Sequence, residues 1–150
     1  MNLEDVKKIA MIGAGDMGHG IAGCCLLGGY TVVLRDIEQQ MVDRGVEGIK
    51  KSFAKFRDKG KITPETHDAA LSRLIPMLDL EEAVKDADFI IEAVPEKLAL
   101  KQQIFGDLDK FAPAHAILAS NTSNISITEI AAATNRPDKV IGYHFFNPAI

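Results

Sequence analysis

Six residues near the start of the chain, Gly13-Ala14-Gly15-Asp16-Met17-Gly18, restrict the fold more than any other feature. They follow an apolar run at 8–12 (KIAMI) and open a helical pattern at 16–28. A G-x-G-x-x-G loop between a strand and a helix gives each glycine a separate task. Gly13 permits the tight turn, Gly15 lets the backbone approach a pyrophosphate, and Gly18 lets the helix press against the strand. The free N–H groups and partial positive charge of the helix N-terminus favour phosphate beside that loop. A second strand, 31–35 (TVVLR), ends against Asp36, 18 residues beyond Gly18. A carboxylate there can accept hydrogen bonds from an adenine ribose. Together these features predict a dinucleotide-binding βαβ unit using Gly13, Ala14, Gly15, Asp16, Met17, Gly18 and Asp36.

Asp36 also bears on which dinucleotide is bound, since its charge repels a 2′-phosphate and favours NAD over NADP. Arg35 pulls the other way, because a neighbouring arginine can accommodate that phosphate. Adjacent side chains in a strand point to opposite faces, which is expected to turn Arg35 away from Asp36. NAD is therefore the expected cofactor.

The rest of the chain continues the alternation of short apolar runs with longer helical patterns. Further strands are expected at 75–78, 88–92, 116–119 and 139–142, and further helices at 38–59, 64–74, 97–110 and 126–133. Runs that are apolar on both faces, such as 8–12 and 88–92, suit a parallel sheet covered by helices on each side. Thr63-Pro64-Glu65 supplies an N-cap, a proline at the first helical position and a first-turn acid. The expected fold is α/β, a Rossmann doubly wound, mostly parallel sheet of about six or more strands. It carries a two-helix excursion after the second strand. The 150 residues suit one domain, with no internal repeat or low-complexity linker.

A net charge of −4 gives no reason to expect nucleic acid or an anionic membrane as partner. No apolar run approaches the ~20 residues of a membrane-spanning helix, and the start, MNLEDVKK, resembles neither a secretory signal nor a transit peptide. A cytoplasmic protein is expected. The only cysteines, Cys24 and Cys25, are adjacent within a helical run, where neighbours point apart; they read as buried, reduced thiols. His19 reads as a packing or surface residue, and His67 and His115 lie in polar segments. No group of His, Cys, Asp or Glu has metal-ligand spacing, so no metal is expected.

Three later segments fall where strands of such a sheet should end, the face that holds ligands. They are Glu92-Ala93-Val94-Pro95-Glu96, Ser120-Asn121-Thr122-Ser123 and His144-Phe145-Phe146-Asn147-Pro148. With the Gly13 loop, they resemble the 3-hydroxyacyl-CoA dehydrogenase family, including the 3-hydroxybutyryl-CoA dehydrogenases, from about Lys8 onward. The resemblance implies an NAD-dependent oxidoreductase that interconverts 3-hydroxyacyl-CoA and 3-oxoacyl-CoA. His144 matches the family's catalytic histidine, and imidazole suits proton transfer near neutral pH. Ser123 matches the serine that hydrogen-bonds the substrate oxygen. Asn121 and Asn147 match polar residues lining the nicotinamide and substrate pocket. Glu96 and Lys101 match residues near the cofactor's ribose and nicotinamide end, and Ala93 and Val94 belong to the same cofactor-facing segment.

Lys50, Lys51, Lys55, Arg57, Lys59 and Lys61 put six of the 17 basic residues on the two-helix excursion. Such a cluster is either a solvated helix face or a docking surface for the phosphates of coenzyme A. The resemblance adds Ser52 and Lys59 as positions that contact CoA. In the family, a glutamate beyond the position of residue 150 orients the catalytic histidine, and a following helical domain closes the pocket and forms a homodimer. The expectation is a cofactor domain, residues 1–150, that ends inside the active-site segment and binds NAD but is catalytically incomplete alone. Two alternatives stand beside it. One is a non-catalytic NAD-binding module, a sensor or a crystallin-like structural relative; the other is a related dehydrogenase acting on another 3-hydroxy acid or a sugar acid.

Overall fold

The structure, a computed structural model, describes residues 2–150. Six strands form one sheet: β1 (Lys8–Ile12), β2 (Thr31–Arg35), β3 (Leu74–Met77), β4 (Phe89–Glu92), β5 (Ile117–Ser120) and β6 (Val140–Gly142). Their order is β3-β2-β1-β4-β5-β6 and every pairing is parallel. The order reverses between β1 and β4, where an open sheet of this kind leaves a crevice at the carboxyl ends of its strands. Pro76 lies in edge strand β3, where a missing N–H is tolerated.

Helices α1 (Asp16–Leu27), α2 (Gln39–Asp58) and α3 (Pro64–Ser72) cover one face of the sheet. Helices α4 (Leu80–Val84), α5 (Leu98–Phe111) and α6 (Ile127–Ala131) cover the other. Strands β1 to β5 feed both cores, as in β1, where Ile9 and Met11 face α1 and α2, whereas Ala10 and Ile12 face α4 and α5. The two-helix excursion after the second strand is α2 and α3. Along α2, Val42, Gly45, Ile49 and Phe53 form the buried stripe, and its other faces carry charge. Thr63 caps α3, its side-chain oxygen accepting the Thr66 N–H at 3.1 Å ahead of Pro64.

Two differences from the sequence expectation concern the connections. Helix α4 was not expected. Its five residues are too few to show a period, and it is fixed by Asp79, whose carboxylate accepts the Glu82 N–H at 2.8 Å. After β6 the chain turns back over α1. Phe145, Ala149 and Ile150 pack against that core, and a Cβ on Gly23 would lie 2.7 Å from Ile150 Cδ1. The Cys24 thiol donates to the Ala149 carbonyl at 2.9 Å. Both cysteines are free and half-buried rather than fully enclosed. Burial, followed by the neighbouring Cys24, pushes the Cys25 thiol up to about 12, so it stays protonated at neutral pH.

Candidate functional site at the carboxyl ends of the strands

The glycine loop has a different geometry at each of its glycines. Gly13 has φ +105°, and a Cβ there would lie 2.7 Å from the Ala93 carbonyl oxygen at the end of β4. A Cβ on Gly18 would lie 1.8 Å from the Gly13 carbonyl oxygen, so only glycine lets α1 sit this close to the turn. Gly15 meets nothing within 4 Å. The loop is therefore tight where it packs and open at Gly15. His19 belongs to the packing: its Nδ1 lies 2.8 Å from the Gly15 carbonyl, and its ring fills the space beside Gly48.

Asp36 binds the loop to the end of β2. One carboxylate oxygen accepts the Ala14 N–H at 2.8 Å and the other accepts the Ile37 N–H at 2.7 Å. A carboxylate has about four acceptor positions, so these two bonds leave capacity for ribose hydroxyls. Gly13, Gly15, Asp16, Met17, Asp36, Ala93 and Val94 line a cleft of about 580 Å³, walled on the apolar side by Ile37, Met41, Leu100 and Ile104. Ile37 was not singled out in the sequence, although an isoleucine directly after the acidic residue, 73% exposed in the fold, is a usable signal. Arg35 corrects the alternation argument. Because β2 ends at Arg35, strand alternation does not separate it from Asp36; it borders the same cleft, with its Nε donating to the Leu78 carbonyl at 2.8 Å.

On the other side of the switch point, β5 and β6 bring together residues far apart in the chain. Ser123 Oγ and His144 Nε2 lie 3.1 Å apart, both exposed. The Asn121 side-chain oxygen accepts the Phe145 N–H at 2.7 Å and so holds the His144 segment against the end of β5. Asn147 is exposed, three residues past His144. Glu96 accepts from the Thr122 hydroxyl and from the Ser123 N–H at 3.2 Å. Burial pushes the Glu96 carboxyl up, but the Thr122 hydroxyl, the Lys101 ammonium and two backbone N–H groups outweigh it. The net result is a carboxylate below its ordinary range.

Lys101 is held in a buried ion pair. It is 1% exposed and forms a 2.6 Å ion pair with Glu92, itself fully buried, while lying 3.6 Å from Glu96. Glu92 Oε2 accepts from the Ser120 hydroxyl at 2.7 Å. Glu92, Ser120 and Thr122 carried no role in the sequence reading. Ser52 is half-buried in α2 and Lys59 is exposed just past its end; neither lines the cleft. The basic residues around them are exposed, and several are locally engaged: Lys50 with Glu47, Arg57 with Asp58, and Lys61 over the Phe56 ring. Among the described residues no group of His, Cys, Asp or Glu is arranged to hold a metal, and no helix is long and apolar enough to cross a membrane.

A doubly wound parallel sheet, a glycine loop open at Gly15 and a carboxylate beside it define an NAD-linked dinucleotide-binding domain of the oxidoreductase class. Residues 8–150 match the family model of the 3-hydroxyacyl-CoA dehydrogenase NAD-binding domain, and the chain belongs to that family. It is 44% identical over 144 residues to a probable 3-hydroxybutyryl-CoA dehydrogenase of Bacillus subtilis, covering 96% of this chain and 50% of that one. A glyoxysomal fatty acid beta-oxidation multifunctional protein of Brassica napus is 42% identical over 144 residues, covering 96% of this chain and 20% of that one. The crystal structure of 3-hydroxybutyryl-CoA dehydrogenase from Escherichia coli superposes with a TM-score of 0.93 at 41% identity, covering 97% of this chain and 30% of that one. This chain thus spans between a fifth and a half of the length of these curated relatives. NAD is the cofactor of the family, and the loop and Asp36 fit it.

Proposed function

We propose that this chain is the NAD-binding half of an enzyme that interconverts 3-hydroxyacyl-CoA and 3-oxoacyl-CoA. The observation that carries the reading is the Ser123–His144 pair, 3.1 Å apart at the same end of the sheet as the Gly13 loop. The bound nicotinamide supplies the hydride chemistry, with NAD+ accepting a hydride and NADH returning it. His144 handles the accompanying proton. When its ring is neutral with the proton on Nδ1, Nε2 is an acceptor and can take the proton of a substrate hydroxyl. In the reverse direction Nε2–H returns that proton to the carbonyl oxygen. Ser123 Oγ, beside Nε2, gives that oxygen a second hydrogen-bond partner.

Asn121, Glu96 and Lys101 are assigned to the nicotinamide end, Asn147 to the substrate pocket, and Ser52 and Lys59 to coenzyme A. The rest of the acyl-CoA pocket, the orienting partner of His144 and the dimer contact come from outside residues 1–150. A cytoplasmic setting, without nucleic acid or membrane as partner, belongs to the same proposal.

Calorimetric titration tests the binding part: NAD+ binds and NADP+ binds more weakly. NADH absorbance with acetoacetyl-CoA tests the chemistry. The 150-residue chain alone turns over slowly or not at all, whereas the same residues within a chain of the relatives' length oxidise NADH and lose that activity with His144→Ala. Failure to bind NAD+ overturns the reading at its root. Binding without turnover in the longer chain leaves a non-catalytic NAD module.

A further inference from the structure

The carboxylate of Glu92 joins three elements at the site end of the sheet. Glu92 is the last residue of β4 and is fully buried. Its Oε1 accepts from Lys101 Nζ in α5 at 2.6 Å and from the Val94 N–H at 2.7 Å, and its Oε2 accepts from Ser120 Oγ in β5 at 2.7 Å. From there two chains of contact run to the same place. Ser120 Oγ receives the Thr122 N–H at 3.3 Å. The Lys101 ammonium lies 3.6 Å from Glu96, whose other oxygen accepts from the Thr122 hydroxyl and the Ser123 N–H. Both chains end at Thr122-Ser123, and Ser123 is the partner of His144.

A buried ion pair of this kind is poorly explained by stability. Desolvating two charges offsets much of their attraction, and apolar residues of similar volume often serve a fold as well or better. What the pair supplies is a fixed location: a fully enclosed carboxylate at the end of β4, with directional bonds to the following loop, β5 and α5, leaves the loop after β5 little freedom. We propose that Glu92 is a positioning residue for the Ser123–His144 pair. It acts through Lys101 and Ser120 and touches neither cofactor nor substrate. This deepens the function proposed above and rests on it only in calling that pair catalytic.

Glu92→Gln tests it, because the amide keeps the shape and one oxygen but loses the charge that holds Lys101. In the 150-residue chain, the Thr122 and Ser123 amide signals and the pH titration of the His144 ring are followed by NMR, with NAD+ affinity measured alongside. The expected result is displaced Thr122 and Ser123 signals, a shifted His144 titration and NAD+ binding weakened by about tenfold or more. Ser120→Ala removes only the β5 branch and keeps the Glu92–Lys101 pair, so it gives the same displacements at smaller size and covers the case in which Glu92→Gln does not fold. Unmoved Thr122, Ser123 and His144 signals in Glu92→Gln, or in Ser120→Ala if the former is unfolded, overturn the proposal. The resonances are read without substrate, so this failure is separate from a failure of the parent chain to bind NAD+, which strikes the proposed function instead.

Discussion

Replacing Asp36 separates two tasks that its position combines. The carboxylate accepts the Ala14 N–H at 2.8 Å and the Ile37 N–H at 2.7 Å, so it organises the glycine loop before any cofactor arrives. Hydrogen bonds to a charged group contribute about 1.5–3 kcal/mol each when shielded. Asp36 is only half-buried and the Ile37 bond is exposed, so the two together come to about 2 kcal/mol after solvent screening. In a domain of this size that corresponds to a melting temperature lower by about 4–8 °C for Asp36→Ala. Asp36→Asn keeps one acceptor oxygen and should lose about half as much. Cofactor binding responds differently, because both variants remove the charge proposed to receive the ribose hydroxyls. Losing about 2 kcal/mol of that interaction weakens NAD+ binding roughly 30-fold in either variant. The NADP+ affinity should fall less or rise, since the repulsion of its 2′-phosphate is gone. Scanning calorimetry and isothermal titration of the three proteins measure both quantities. An Asp36→Ala variant that melts with the parent and binds NAD+ within threefold of it would refute the reasoning.

The two glycines after Gly13 should fail in opposite ways. Gly18→Ala forces a Cβ to within 1.8 Å of the Gly13 carbonyl, so the variant should lose about 3 kcal/mol or more in urea unfolding, whereas Gly15→Ala, with nothing within 4 Å, should unfold with the parent but lose NAD+ binding. Arg136 donates to Asp109 Oδ1 at 2.7 Å and to the carbonyls of Pro113 and Asp109 at 2.6 and 2.7 Å. Arg136→Met, which leaves a nearly buried carboxylate with its Asn135 hydrogen bonds but without its cation, should therefore cost about 2–4 kcal/mol in the same assay. Acid should destabilise the fold through Asp88 and Asp109. Burial raises both carboxyls, but backbone N–H groups with His115 in one case, and Asn135 and Arg136 in the other, hold them below the ordinary 3.8. The folded state then binds fewer protons than the unfolded one, so this stabilisation is complete above the unfolded value and disappears as pH falls through the folded values. Urea midpoints measured downward from pH 5 should drop, and Asp109→Asn should flatten part of that drop.

The first βαβ unit could be read from sequence because each of its requirements is local. A turn, a helix start and a strand end lie within the span from Lys8 to Asp36, and each leaves its own residue type behind. The strands were legible from their apolar runs for the same reason, to within about a residue at each end. Other parts depend on contacts that no local pattern encodes. Helix α4 rests on one cap and one turn. The return of the last segment over α1 depends on the small residues Gly20 and Gly23, which look like ordinary helix positions until Ala149 and Ile150 are laid against them. The candidate site divides in the same way. Ser123 and His144 were identified through motif resemblance, and the fold places them in contact. The partner of Lys101 was not legible, because a pairing between residues 92 and 101 exists only once α5 has packed back on β4. Arg35 was misread for want of a single residue, the position at which β2 stops.

The sheet raises a question of alignment that its core does not answer. In β1, β2 and β4 the central residues are apolar and buried on both faces, so sliding one strand past its neighbour by a residue would still bury hydrophobic side chains. What distinguishes the observed alignment lies at the carboxyl ends. Gly13 donates to Arg35, Ala93 to Ile12, Asn121 to Glu92 and Tyr143 to Ser120, at 2.8–2.9 Å, and each rung sits beside a residue usable in only one position: the left-handed glycine, the buried glutamate, the serine that meets it. The residues that shape the cleft and support the Ser123–His144 pair therefore also act as the datum from which the strands are counted. Selection on this end of the molecule is selection on folding as well as on chemistry, and loss of activity here should often arrive together with loss of order.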